Sequence, residues 1–151
     1  FSPLENYEFS LNSGGQYSFD DLLNSEQTSI TGYNKLSGFT SGSISGDEAW
    51  YVRGQINRNF NLSNQISISP YVYGAAGVAY TLDPTAIENR STAAKSIGLG
   101  MQVRGFDKYF FDKSISGRIE YSKNWATGKL EDLADVRLNK QHLLVSLAMS
   151  F

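Results

Sequence analysis

The feature of this sequence that most constrains its fold is a two-residue alternation of apolar and polar side chains. One of the clearest examples runs from Ile115 to Trp125, where the odd positions are mainly apolar and the even positions are polar. This period is typical of β-strands that have one apolar and one polar face. The sequence predicts an all-β chain of antiparallel strands over residues 7–18, 50–62, 66–80, 93–105, 115–125 and 142–151.

The length of these tracts favours strands that cross a membrane. A transmembrane β-strand needs about 9–11 residues, whereas strands of globular proteins average about 5–6. Long and short connections also alternate, as in outer-membrane barrels with long outer loops and short periplasmic turns. The connections are 19–47, 63–65, 81–91, 106–113 and 127–138. We therefore predict a transmembrane antiparallel β-barrel, and a soluble sheet with one solvated face is the alternative.

The aromatic residues near the strand ends give a second indication of a membrane barrel. If the C-terminus lies on the periplasmic side, the aromatics of the apolar face gather at two levels. Tyrosine and tryptophan are enriched at both membrane–water interfaces, so two levels are expected of a membrane girdle. The cations of the same face can reach the interface because their side chains are long. The predicted girdle residues are Tyr7, Tyr17, Trp50, Phe60, Tyr80 and Trp125.

Composition excludes several classes of function. The 13 Lys and Arg residues are outnumbered by 15 Asp and Glu residues, so no basic field exists to bind nucleic acid. The absence of cysteine excludes disulfide frameworks and thiol nucleophiles. The one histidine, His142, has no acidic or nucleophilic neighbour in sequence, and we interpret the acidic cluster of Glu131, Asp132 and Asp135 as a solvated loop. We therefore expect no enzyme activity, no cofactor and no metal.

The C-terminal strand ends in an aromatic residue. Phe151 is the last residue, and the apolar positions Met149 and Leu147 precede it at steps of two. This ending resembles the signal that the barrel-assembly machinery of Gram-negative bacteria recognises. We therefore expect Leu147, Met149 and Phe151 to act as an assembly signal.

Two longer tracts carry a resemblance to a family. Residues 26–53 read EQTSITGYNKLSGFTSGSISGDEAWYVR, and Pro70 begins the tract PYVYGAAG. They resemble transporters of two-partner secretion, of the hemolysin-activator and filamentous-hemagglutinin-transporter type, in which the tracts read EQ-x-SLGG-x-x-x-VRGF-x-x-x-x-LSGD-x-G-x-x-x-R and PYVFYDAG. The resemblance implies that residues 1–151 are the C-terminal part of an outer-membrane barrel domain, about the last six strands of a 16-strand barrel. POTRA domains are then expected upstream of this chain.

The resemblance also implies that residues 19–47 are a long extracellular loop that folds into the barrel lumen. In the family, an arginine at the loop tip pairs with an aspartate of the wall, but the matching positions here are Ser37 and Ala75. Loss of both leaves no unpaired buried charge, and the position of the loop stays open. We expect Gly98 and Gly100 to make room for this loop or for other lumen contents.

Two sets of residues follow from this interpretation. The implied lumen-loop motif comprises Gly32, Leu36, Ser37, Gly38, Phe39, Ser45, Gly46 and Asp47. The predicted lumen wall includes Arg53, Tyr71, Tyr73, Ala75, Arg104, Arg118 and Glu120.

The function that the resemblance implies is an outer-membrane pore of a Gram-negative bacterium. It secretes a large partner exoprotein, such as an adhesin, a hemolysin or a heme-scavenging protein, by two-partner secretion. The other implied partners are the barrel-assembly machinery, outer-membrane lipid and lipopolysaccharide. Two alternatives stay open: a barrel-assembly relative of the same superfamily, and a self-contained eight-strand outer-membrane barrel. The eight-strand barrel needs two more spanning strands within 19–47, where the best candidate, 28–37, is interrupted by Gly32.

Overall fold

The computed structural model describes residues 6–20, 22–23, 25–63, 66–82, 90–107, 113–129 and 136–150. Their regular structure is β-strand, and no helix among them is long and apolar enough to cross a membrane. In chain order the strands are β1 (Tyr7–Gln16), β2 (Thr28–Ser29), β3 (Ser45–Gly46), β4 (Glu48–Arg58), β5 (Phe60–Asn61), β6 (Ile66–Tyr80), β7 (Ser91–Asp107), β8 (Lys113–Lys129) and β9 (Val136–Ser150). The six long strands correspond in order to the six predicted tracts, and the all-β prediction is confirmed.

The later strands are longer than the sequence pattern predicts. β7 and β8 have 17 residues each and pair along their whole length, with Ser91 opposite Lys129 and Asp107 opposite Lys113. Antiparallel main-chain hydrogen bonds do not depend on side-chain polarity, so pairing continues where the apolar alternation fades. The strands therefore take in residues that the sequence assigned to connections.

The long strands form one antiparallel sheet in which each pairs with the next long strand along the chain. The order is β1-β4-β6-β7-β8-β9, with β5 also paired to β6 and with β2 and β3 forming a separate pair. Within the described residues the sheet is open, and β1 and β9 are its edges. The register keeps like faces together, because Trp50 lies opposite Val78 and Arg53 opposite Ala75.

The apolar face of this sheet is exposed and a large part of its polar face is covered, which is the reverse of a soluble sheet. Leu99 is 60% exposed and Val145 is 68% exposed, whereas Arg118 is 4% and Glu120 is 1% exposed. Burial of apolar area is the main favourable term in folding, so a contiguous exposed apolar face indicates a surface that contacts lipid or another protein.

A covering segment, defined as residues 22–23 and 25–47, lies over the polar face. Its Ile30 and Leu36 are fully buried, and the core of the structure lies between this segment and the sheet. Several wall residues of that core are alanines, whose small side chains let the segment approach the sheet. The core comprises Ile30, Leu36, Ala49, Tyr71, Tyr73, Ala75, Ala79, Ala94 and Ala126.

Candidate functional site

A cluster of charged side chains is buried on the polar face beneath the covering segment. Arg53 of β4 and Arg118 of β8 both form salt bridges with Glu120, at 3.5 Å between Arg53 Nη2 and Glu120 Oε2. The Tyr71 hydroxyl donates to Glu120 Oε2 at 2.6 Å and accepts from Arg118 Nε at 2.5 Å. Buried charges are tolerated only when they are paired and hydrogen-bonded, and here two cations share one carboxylate. The cluster therefore keeps a positive excess that suits further oxygen acceptors.

Ser37, at the tip of the covering segment, joins this cluster through its hydroxyl. Its Oγ donates to Glu120 Oε1 at 2.5 Å and accepts from Arg53 Nη1 at 2.6 Å. The residue is 1% exposed, so little water competes for these bonds. Hydrogen bonds to charged groups contribute about 1.5–3 kcal/mol each. Ser37 thus connects the tip to both members of an ion pair on the wall.

The guanidinium that the resemblance places at the tip comes instead from the wall. Arg53 lies over the Tyr73 ring, with its Cζ 3.7 Å from the ring centroid, and from there reaches Ser37. The carboxylate is Glu120 on β8, while Ala75 is 8% exposed within the core. The tip therefore still meets a guanidinium and a carboxylate, although both now belong to the sheet.

Wall side chains also hold the main chain of the covering segment. Five of them donate to its carbonyl oxygens: Asn12 to Asn34 at 2.8 Å, Gln16 to Glu26 at 3.1 Å, Arg53 to Lys35 at 3.2 Å, Arg118 to Tyr33 at 3.4 Å and Asn124 to Gly38 at 2.6 Å. The carbonyls of Tyr33 and Lys35, which accept from arginines, offset part of the positive excess of the cluster. The segment is thus docked largely through its backbone, in a way that does not depend on most of its side chains.

At Gly38 the main chain of the segment lies directly against the wall. A Cβ at this residue would overlap the side-chain amide of Asn124, so only glycine permits the contact. Asn124 was not among the predicted site residues. The alternation places it on the polar face, but parity alone does not tell which polar side chains face the segment.

Asp47 fastens the two ends of the covering segment. Its Oδ1 accepts from the Leu22 N–H at 3.0 Å and from Gln27 Nε2 at 3.2 Å, and its Oδ2 accepts from the Leu82 N–H at 2.8 Å. Burial by itself raises the pKa of Asp47, but these donors outweigh it and bring the pKa below its ordinary value of 3.8. The carboxylate is therefore ionised at neutral pH and clamps the base of the segment.

The other residues predicted for the loop motif lie along the covering segment. Gly32 accepts the Lys35 N–H through its carbonyl at 3.1 Å, and Phe39 packs, partly buried, against the core. Ser45 and Gly46 form β3, which pairs with β2 at the base of the segment. Of the predicted wall residues, Arg104 lies apart from the cluster: it is exposed, and its Nη2 is 3.5 Å from Gln102 Oε1.

The expectation for Gly98 and Gly100 is corrected by the structure. A Cβ at Gly98 would meet the Tyr73 ring, and one at Gly100 would meet the Tyr71 ring. The two glycines therefore make room for tyrosines of the wall itself rather than directly for the covering segment. Arg53 lies over the Tyr73 ring, and the Tyr71 hydroxyl donates to Glu120.

The predicted girdle residues are all exposed, from 38% for Trp125 to 59% for Tyr17. Two cations of the apolar face lie beside girdle residues: Arg58 over Tyr7 and Phe60, and Lys123 over Trp125. Leu147 is 67% exposed on the edge strand β9. The side chain of Met149 and the whole of Phe151 lie outside the described residues, as do Glu131, Asp132 and Asp135.

The described residues contain no group of three or more His, Cys, Asp or Glu side chains that could hold a metal ion. His142 lies on β9, opposite Ser122, whose hydroxyl donates to the His142 carbonyl at 3.4 Å. The site binds one stretch of polypeptide against a polar wall through hydrogen bonds to neutral and charged side chains.

Comparison of the chain with known proteins finds one matching family and a similar protein. The profile of the family described as haemolysin secretion/activation protein ShlB/FhaC/HecB matches residues 1–102, which is well over half of the chain. The hemolysin transporter protein ShlB of Serratia marcescens is 42% identical over 48 residues, which are 32% of this chain and 9% of that protein. The match thus covers only a small part of the length of that relative. No solved structure matches the chain.

Proposed function

The chain belongs to the haemolysin secretion/activation family ShlB/FhaC/HecB, and on that premise we propose that it is part of a protein-secreting pore. The pore lies in the outer membrane of a Gram-negative bacterium and exports a large exoprotein, such as an adhesin, a hemolysin or a heme-scavenging protein, by two-partner secretion. Residues 1–151 form the C-terminal part of its barrel domain. That barrel has 16 strands, and POTRA domains precede it. The apolar face contacts outer-membrane lipid and lipopolysaccharide, and the last strand is recognised by the barrel-assembly machinery.

The observation that carries this proposal is the inverted burial of the sheet. In lipid, an exposed apolar face is the favourable arrangement, and a polar face with paired charges suits a hydrated lumen. The strands are also long enough to span, since a tilted transmembrane strand needs about 9–11 residues and β6 to β9 have at least 15.

The covering segment is the gate of this pore. Its tip is held mainly by hydrogen bonds between its main chain and wall side chains, and water or a passing polypeptide can replace such bonds one at a time. Its apolar anchors are few, with Ile30 and Leu36 fully buried. A polypeptide that crosses the lumen must displace or pass this segment, so the docked state is the resting state.

The alternatives receive less support. An eight-strand barrel needs two further spanning strands within 19–47, and the described part of that range has only the two-residue strands β2 and β3. A barrel-assembly role differs from secretion in its consequence, because depletion of an assembly factor lowers the abundance of many outer-membrane barrels.

Depletion of the full-length protein in its host tests the function. We expect one large protein to disappear from the culture supernatant while the other outer-membrane barrels keep their abundance, as measured by quantitative mass spectrometry. A general loss of barrels would indicate an assembly factor, and an unchanged supernatant would refute the proposal.

A reversible crosslink tests the gate. Gly38→Cys with Asn124→Cys joins tip and wall at a point of direct contact, and the natural sequence of this chain contains no cysteine. We expect the oxidised protein to stop secreting and the reduced protein to resume, while each single variant secretes under both conditions. Secretion that continues with the crosslink formed would show that the segment need not move.

A further inference from the structure

A second polar region lies on the same face, beyond the tip of the covering segment. It is a cavity of about 270 Å³ whose walls are hydroxyl, carboxamide and a few charged side chains. The residues that line it, here called the amide patch, are Glu8, Asn57, Asn59, Asn61, Ser67, Ser69, Gln102 and Arg104. Among the described residues, no apolar or aromatic side chain lines this cavity. The hydrogen bonds of the ion-pair cluster reach the edge of this cavity through Gln55, which accepts from Arg53 and donates to Asn57.

The centre of the amide patch is a row of carboxamides at two-residue spacing. Asn57 lies in β4, Asn61 in β5 and Asn59 between the two strands. The register against β6 is the same on both sides of Asn59, with Asn57 opposite Tyr71 and Phe60 opposite Ile68. Gln55 donates to Asn57 at 2.7 Å and Ser69 donates to Asn59 at 2.7 Å. Within the described part of the chain, the side-chain amide groups of Asn59 and Asn61 donate to no acceptor, and both residues are exposed.

This spacing matches the repeat of an extended polypeptide. A strand rises about 3.3 Å per residue, so side chains on one face recur at about 6.7 Å, which is also the two-residue repeat of an extended main chain. Each carboxamide can both donate and accept, as a peptide unit does. A row of carboxamides can therefore bind successive peptide groups without reading the side chains between them.

The covering segment is a precedent for this chemistry within the same molecule. On the same polar face, Asn12 and Asn124 already donate side-chain amide hydrogens to carbonyl oxygens of the chain's own backbone, at 2.8 and 2.6 Å. The amide patch continues the same polar face and offers the same kind of donor.

We propose that the amide patch is a binding site for the main chain of an extended, unfolded polypeptide on its way through the pore. This proposal rests on the proposed function, because it assigns the polar face to a lumen. An oligosaccharide or a nucleic acid fits less well, since the described lining residues offer neither of them an aromatic ring to stack on. A polyanion is not favoured, because the positive charge of Arg104 in the lining is opposed by the carboxylate of Glu8. The site takes a neutral backbone and is indifferent to sequence.

The test is peptide block of single channels formed by the full-length protein in a planar bilayer. The probe is a neutral Gly/Ser/Thr peptide of about 20 residues, compared with the same peptide N-methylated on its backbone and with maltohexaose. Asn59→Leu with Asn61→Leu removes two carboxamides at nearly constant shape. Gln141→Leu, on the exposed opposite face, is the matched control, and Asn59→Ser with Asn61→Ser restores smaller hydrogen-bonding groups.

We expect the double leucine variant to shorten the block by the plain peptide about tenfold, which corresponds to about 1.4 kcal/mol. The serine pair recovers part of the block, Gln141→Leu leaves it unchanged, and the N-methylated peptide blocks only briefly in every protein. An unchanged block in the leucine variant, an equal loss in the Gln141 control, or an equally long block by N-methylated peptide or maltohexaose would overturn the inference. If no channel forms at all, both the proposed function and this inference fail. If channels form but the leucine variant is blocked normally, only the inference fails.

Discussion

Replacement of Ser37 by alanine should release the tip of the covering segment while the wall stays intact. The hydroxyl makes two hydrogen bonds to charged groups, one to Glu120 and one from Arg53. Such bonds contribute about 1.5–3 kcal/mol each, but Arg53 and Glu120 keep their mutual contact and water can enter the space that the hydroxyl leaves. We therefore expect a net loss of about 2 kcal/mol, or about a 30-fold shift from the docked to the undocked segment.

The shift is measurable by distances between two spin labels on the full-length protein in vesicles. Thr40→Cys labels the exposed part of the segment and Ser116→Cys labels the exposed polar face of β8. The unaltered tip should give one dominant short distance, and Ser37→Ala should add a broad, longer population. Ser37→Thr keeps the hydroxyl, and Ser41→Ala alters an exposed serine of the same segment, so both should resemble the unaltered protein. A distribution unchanged by Ser37→Ala would refute the role of this hydroxyl.

Three further perturbations test other parts of the structure. Gly38→Ala forces the Asn124 amide aside and should undock the tip at a cost of about 1–3 kcal/mol, seen as faster protease cleavage within the covering segment; unchanged cleavage would contradict the close approach. Because the pKa of Asp47 is lowered in the folded state, its clamp stabilises the segment at and above pH 3.8 and is lost as the pH falls through the lowered value. Cleavage by an acid protease should therefore rise only below about pH 4, whereas Asp47→Asn should be cleaved readily throughout and show no such rise. Leu99→Arg should cost about 2–4 kcal/mol of stability in a bilayer by heat-modifiability or urea titration, whereas Ser116→Arg on the polar face should cost far less. Equal costs for the two arginines would contradict the assignment of the faces.

The fold could be predicted because the alternation of apolar and polar residues follows from the different environments of the two faces of the sheet. Every long strand keeps its parity, and the register then follows, since a slip by one residue would exchange the two faces. The ends of β7 and β8 could not be predicted, because the main-chain pairing that extends them leaves no trace in side-chain polarity.

The site was predictable only in part. Parity placed Arg53, Arg118 and Glu120 on one face, and their meeting depends on cross-strand distances that span three strand intervals, roughly 14 Å at about 4.8 Å each. Sequence alone gave no reason for Ser37 to replace a charged tip, because the compensating arginine comes from β4 and lies over Tyr73. Asn12 and Asn124 were missed because their partners are backbone carbonyls, which carry no sequence signal.

The central claim, that the apolar face meets lipid and the polar face meets water, is tested most directly by a spin-label scan along β7. Single cysteines at Leu99, Met101 and Val103 and at Gln102 and Arg104 sample the two faces of one strand. With the full-length protein in vesicles, we predict that relaxation by oxygen is strong at the first three positions and that relaxation by a water-soluble nickel chelate is strong at the last two. Strong relaxation by the nickel chelate at Leu99 and Met101 would show that this face is in water and would contradict the account.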